Sequence, residues 1–228
     1  MKKTILLVSL FLAVAAGVRA QQLISGENIT DFNTVSLSGQ MSVEMIPSDK
    51  PAVAMELHGV NPNQVTWGVT GSTLSIKVKP AAAKEGALIV RIYYTKVQSI
   101  TAVTSDVRIP QPLESVMFSA DISSGAKFTA ALDCLDAQIK VTGNSAAQIE
   151  GRAKYVTLEA NQRSKIDART LEAQSAGASS YMASEIYAWG AERMISHTNT
   201  GGAVFYKGDP AVLRVVNNTG GSTNGIGN

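Results

Sequence analysis

The chain has 228 residues, with 20 Lys and Arg, 18 Asp and Glu, two His and one Cys, for a formal charge of +2. Without a basic cluster it lacks the electrostatic footprint of a nucleic-acid binder, and the near-balanced charge argues equally against an anionic membrane partner. A single cysteine cannot form an internal disulfide, so burial and hydrogen bonding must hold the core, which a chain of this length can supply as one domain.

Residues 1–20, MKKTILLVSLFLAVAAGVRA, place Lys2 and Lys3 before the apolar run Ile5 to Ala16 and end on Val18-Arg19-Ala20. This is the pattern of a secretory signal, with cleavage expected between Ala20 and Gln21. The run falls short of the roughly 20 apolar residues a spanning helix needs. No cysteine follows the cleavage point. The expectation is therefore an exported protein that is not a lipoprotein, located in the periplasm or on the surface of a Gram-negative-type cell, with no membrane insertion after signal removal. Loss of Lys2, Lys3 and Arg19 leaves 17 basic against 18 acidic residues.

After a lead-in over 21–30, period-two alternation dominates residues 31–94. Apolar residues recur at Val35 and Leu37, at Met41, Val43 and Met45, at Val53, Met55 and Leu57, and at Val65, Trp67 and Val69. Leu74, Ile76 and Val78 follow, then Leu88, Val90, Ile92 and Tyr94. Such segments predict half-buried strands, and Ser38-Gly39, Ser48 to Pro51, Gly59 to Asn63 and Gly71-Ser72 supply the turns between them. The short AAAKEGA, 81–87, suits one helical turn before Gly86.

Residues 95–212 read as repeats. Large residues at Val107, Phe128, Ile149, Ile166, Tyr181 and Phe205 each have an apolar residue ten positions earlier, at Val97, Phe118, Ile139, Val156, Leu171 and Ile195. The gaps from each large residue to the next repeat are 11, 11, 7, 5 and 14 residues. A fixed stretch beside a variable one suggests strand, corner and strand stacked coil on coil, with a free return loop. A repeat of about 20 residues suits a β-solenoid, in which a lone coil cannot bury its apolar side. The corners are expected at Val103-Thr104, Ser124-Gly125, Ser145-Ala146, Gln162-Arg163, Gly177-Ala178 and Gly201-Gly202, so that SAGASSYMAS, 175–184, becomes the corner of the fifth coil. Ser123, Asn144, Asn161 and Thr200 would then stack as a polar ladder. The segment SEIYAWGAERM, 184–194, reads as an unusually long loop, and residues 213–228 as a terminal strand with a poorly ordered Gly/Asn/Ser tail.

The entry DFNTVSLSGQMSVEMIPSDKPAVAMELHG, the small-residue runs SSGAKF, GNSAAQI and SAGASSY, and KGDP at 207–210 together resemble the family described as "putative auto-transporter adhesin, head GIN domain". The resemblance covers residues 31–212 and implies an all-β, β-helical domain. With it, the expected fold is a right-handed parallel β-helix of about six coils (95–212) following the strand-rich entry (31–94). The family supplies no catalytic residues to carry over.

Candidate chemistry is sparse. Serine catalysis needs a base, yet only His58 in the entry strands and His197, at an expected core register, exist, and there is no G-x-S-x-G elbow. Two distant histidines and one cysteine do not make a zinc cluster, and Asp121, Asp133, Asp136 and Asp167 are too scattered for calcium. The expectation is no metal and no cofactor. A polysaccharide lyase or hydrolase would need converging carboxylates and cations, for which Asp133, Asp136, Lys140, Glu150 and Arg152 are the nearest candidates. They read more simply as a solvated charged face. Tyr187 and Trp189, placed in the long loop, are the expected ligand-contact residues, because exposed rings stack on sugar faces. The sequence thus points to a non-enzymatic interaction module for an unknown glycan or protein. A polysaccharide-acting enzyme and a purely structural envelope protein are the alternatives, and the oligomeric state is open.

Overall fold

The computed structural model describes residues 21–26, 29–81 and 86–227. The signal segment and most of AAAKEGA lie outside the described residues.

The entry strands are β1 (Gln21–Gly26), β2 (Thr34–Ser38), β3 (Ser42–Pro47), β4 (Ala52–His58), β5 (Val65–Thr70), β6 (Thr73–Val78), β7 (Ala87–Tyr94) and β8 (Ser99–Val103). Long strands follow: β9 (Asp106–Ser123), β10 (Lys127–Val141), β11 (Ala146–Ala160) and β12 (Lys165–Tyr181). Shorter ones close the chain: β13 (Glu185–Trp189), β14 (Arg193–Asn199), β15 (Ala203–Lys207), β16 (Val212–Asn217) and β17 (Ser222–Gly225). They form a β-solenoid of about seven turns, one more than expected. From β8 onward the pairing is parallel, coil on coil. The entry adds antiparallel pairs, with β5 on β6, β4 on β7 and β1 on β4.

Each coil crosses between two faces at a tight corner made by two consecutive left-handed residues. These are Ser124-Gly125, Gly143-Asn144, Gln162-Arg163, Met182-Ala183, Thr200-Gly201 and Thr219-Gly220. A left-handed non-glycine residue costs roughly 1–2 kcal/mol. Stacked amide bonds offset that cost. Gly125 N–H donates to Gly143 O (2.9 Å), Asn144 N–H to Gln162 O (3.0 Å), Arg163 N–H to Met182 O (3.0 Å) and Ala183 N–H to Thr200 O (3.0 Å).

The ten-residue spacing is real, but it belongs partly to other residues. Two inward columns flank the corner. One runs Val107, Phe128, Ala147, Ile166, Ile186 and Val204. The other runs Phe118, Ala137, Val156, Ala176, Met194 and Leu213. Across every corner the two columns are ten residues apart, from Phe118 to Phe128 through Met194 to Val204. Ile149 and Ile139 lie two places along the strand from these columns, Tyr181 ends β12 beside Asn199, and Phe205 points outward beside Tyr187. SAGASSY is consequently strand rather than corner, and the turn falls five residues after the expected Gly177-Ala178, at Met182-Ala183.

The polar ladder also sits elsewhere. Ser145, Ser164 and Ser184, all buried, follow the corners. The backbone N–H of Gly125 donates to Ser145 Oγ (3.1 Å), that of Ser145 to Ser164 Oγ (3.3 Å) and that of Ser164 to Ser184 Oγ (3.0 Å). Each hydroxyl thus accepts an amide at or just after the corner of the preceding coil, and for buried Ser145 and Ser164 this supplies a partner that a buried backbone group requires.

A short third ladder connects the faces in the middle coils, stacking Leu113, Leu132, Gly151 and Leu171 inward. Cys134 lies in it, buried, its Sγ donating to Leu113 O at 3.6 Å. Burial pushes its thiol from 9.0 up to about 11. The folded state therefore holds this proton more tightly than the unfolded state. The associated stability is present below pH 9.0 and is lost as pH rises toward about 11. The wild-type denaturation midpoint should fall across that window, and that of Cys134→Ala should fall less. Native Cys134 should also resist thiol reagents until the chain is unfolded.

The C-terminal segment is more ordered than its composition suggests, since Ser222–Gly225 pairs in parallel with β15.

Candidate functional site

The segment 184–194 is not one long loop but β13 and the start of β14 joined by a short turn at 190–192. Tyr187 and Trp189 lie on β13, whose burial alternates, with Ile186 and Ala188 inward and the two rings on the outer surface. Strand geometry makes this unavoidable, because neighbouring side chains point to opposite faces. In register with Tyr187 stand Asp167 on the preceding coil and Phe205 on the next.

Coil stacking therefore builds an aromatic surface. The Tyr187 and Phe205 rings are stacked, with centroids 4.8 Å apart and planes within 16°. Cations surround them: Lys165 Nζ lies 4.9 Å and Arg169 Cζ 4.8 Å from the Tyr187 centroid, and Lys207 Nζ lies 4.3 Å from that of Trp189. All three distances fall within cation–π range.

Two carboxylates set the local charge. Arg169 Nε donates to Asp167 Oδ1 at 2.9 Å, and this bond holds the Asp167 carboxyl below the usual carboxylate range. Lys165 pairs with Glu185 at 3.4 Å. Lys207 makes no ion pair among the described residues, so its ammonium is the least neutralised charge of the patch. An open groove of about 590 Å³ is lined by Tyr187, Asp167, Arg169, Lys207 and Ile226.

The other candidates are dispersed. Arg152 is ion-paired with Asp133 at 2.5 Å and Lys140 with Glu159 at 3.3 Å. Asp136 stands between Met117 and Tyr155 in its own column, and Glu150 between Ala131 and Thr170. Arg152 and Lys140 pair with carboxylates on neighbouring coils, while Asp136 and Glu150 stand in separate columns. His197, expected inward, is exposed on β14, whereas His58 lies in β4 with Nε2 3.6 Å from Glu56. Among the described residues no group of three His, Cys, Asp or Glu side chains is placed to hold a metal ion. Phe205, Lys165, Arg169 and Lys207 were not legible as site residues. The 18-residue step from Tyr187 to Phe205 matches the coil period, and that period was the available signal.

Fold and surface together define a β-solenoid that displays an aromatic, cation-rimmed outer face. The profile of the family described as "putative auto-transporter adhesin, head GIN domain" matches residues 31–210, and the chain belongs to that family. Among solved structures, a putative adhesin from Bacteroides fragilis superposes with a TM-score of 0.80 at 17% identity, over 91% of this chain and 99% of its own. A putative lipid binding protein from Parabacteroides distasonis gives 0.68 at 15%, covering 90% and 96%. A putative adhesin from Parabacteroides merdae gives 0.64 at 12%, again over 90% and 96%. At these identities the likeness is one of fold. Comparison with curated proteins gives no match.

Proposed function

We propose that the protein is an exported, non-enzymatic interaction module that binds a glycan on the outer face formed by Tyr187, Phe205 and Trp189. The observation that carries this reading is the stacked Tyr187–Phe205 pair with Lys207 over Trp189, held half-exposed on a rigid sheet. A core has no need of such rings on its outside, and aromatic faces offer apolar surface to the C–H face of a sugar with little loss of conformational freedom. Lys207 and Arg169 at the rim favour a sugar bearing a carboxylate or sulfate. Export is supported by the signal pattern of residues 1–20.

A glycan-array screen with the wild type and Trp189→Ala tests this. Wild type should retain acidic glycans, and Trp189→Ala should lose on the order of tenfold in affinity, the equivalent of about 1.4 kcal/mol. Equal retention by both proteins would remove Trp189 from the site. Cleavage of any polysaccharide on the array would favour the enzymatic alternative.

A further inference from the structure

The two ends of the solenoid are finished differently. At the entry end, antiparallel strands cover the core, and Val53, Met55 and Leu57 of β4 are buried. At the other end, all six residues of β16 are exposed. Leu213 and Val215 occupy inward columns, above Met194 and Ser196 of β14, yet they are 44% and 42% exposed. No further coil covers them among the described residues.

The backbone of β16 is equally open. Val212 N–H donates to Glu192 O (3.1 Å) and Asn218 N–H to Thr198 O (2.9 Å), so even-numbered residues face β14. Since successive residues of a strand point their amide groups to opposite sides, those of Leu213, Val215 and Asn217 face the free edge. Beside this apolar strip lies a satisfied polar cluster. Ser196 Oγ and Thr223 Oγ1 are 2.7 Å apart, and the Thr198 and Thr223 hydroxyls both donate to Asn217 Oδ1, at 2.7 and 2.8 Å. An apolar centre with a polar border is the layout of a protein interface.

We propose that this end docks a second copy of the chain, tail to tail, by antiparallel pairing of the two β16 strands about a two-fold axis. Edge strands that are meant to stay free usually carry charges or proline. From Ala211 to Gly227 the chain has one charged residue, Arg214, and no proline. In the register centred on Val215, the two Val215 residues meet, Leu213 faces Asn217 of the second copy, and Arg214 faces Val216 rather than its own mate. On the order of six new backbone hydrogen bonds result. A register centred on Arg214 would oppose like charges and is disfavoured. One strand about 20 Å long and one about 13 Å long on faces about 10 Å apart offer on the order of 200 Å² per copy. That is below a standard stable interface, so the dimer should be concentration-dependent. The pairing would also place two aromatic faces on one rigid body, giving the avidity a weak surface binder gains from bivalency.

Sedimentation velocity over a broad concentration series tests the proposal, using wild type and Val215→Lys. Wild type should show a reversible monomer–dimer equilibrium, and Val215→Lys, which sets two ammonium groups face to face, should weaken it at least about tenfold. Circular dichroism would confirm that the variant is folded. Should it not fold, Val215→Cys treated with a short bismaleimide decides the matter, since the native Cys134 is buried. A cross-linked dimer at Val215→Cys, but not at the exposed Met117→Cys on an earlier coil, supports the pairing. A wild type that stays monomeric throughout, a Val215→Lys dimer as strong as wild type, or no cross-link at position 215 would overturn it.

Discussion

Phe128→Ala is expected to lower stability by about 3–5 kcal/mol, the range for removing a buried aromatic ring from a core that cannot collapse. Phe128 is 1% exposed, and its ring stacks on Phe118 across the corner with centroids 6.4 Å apart. Its column neighbours are Val107 below and Ala147 above. A methyl group on the Ala147 side cannot fill the space, and the parallel ladders on both sides of β10 keep the backbone from moving inward. Urea denaturation should show a lower midpoint with an unchanged slope, the signature of lost stability without a change in the surface exposed. The outward ring Phe205, truncated in the same way, should cost far less. A Phe128→Ala loss under about 1 kcal/mol would mean that the column packing described here is wrong.

Gly151→Ala should cost about 2–4 kcal/mol through a different mechanism, backbone strain combined with a steric clash. Gly151 has φ +107°, a conformation that side chains rarely adopt, and an added Cβ would lie 2.1 Å from Leu132 O. It sits in the third ladder, where Leu113, Leu132 and Leu171 fill the same column. The glycine lets one coil approach the next where the inward direction changes between faces. Gly125 is the control: it also has positive φ, +78°, but a Cβ there would meet nothing within 4 Å. Gly125→Ala should therefore cost only about 1–2 kcal/mol. Similar losses in both variants would assign the effect at Gly151 to φ alone.

Much of the fold was legible because strand periodicity and coil stacking both leave marks in the sequence. The alternation from Val35 to Tyr94 maps onto buried positions in β2 to β4, β6 and β7 and onto half-buried ones in β5, and the ten-residue interval is a true constraint of the paired left-handed corner. What misled the register was the preference for large residues as markers. Ala137, Ala147 and Ala176 fill inward positions above and beside Phe118 and Phe128, and Ala is as buried as Phe in a column where large and small residues share a fixed volume. Bulk alone therefore points to Ile149, Tyr181 and Phe205, which stand off these columns. The corners were legible in part. Ser124-Gly125 and Gln162-Arg163 turn where expected, but the fifth-coil corner falls at Met182-Ala183 instead of Gly177-Ala178, because inter-coil amide bonds enforce left-handed geometry there without glycine, a contribution from outside the local sequence.

The candidate site followed the same pattern. Tyr187 and Trp189 are at the surface as expected, but on a strand rather than a loop. Once they lie on a strand, their neighbours are fixed by register, and Phe205 joins them from the next coil instead of filling an inward column. Their cationic partners come from positions as much as 42 residues apart in sequence, Lys165 to Lys207, and only the coil period brings these together.

The most direct test of the aromatic face is the emission of Trp189 in a Trp67→Phe background, which leaves Trp189 as the one tryptophan of the chain. Titration with an acidic glycan retained on the array should shift or quench that emission saturably, and Lys207→Ala should shift the curve to higher concentration. A glycan that binds the protein while leaving Trp189 emission unchanged would place the binding surface elsewhere and contradict the account.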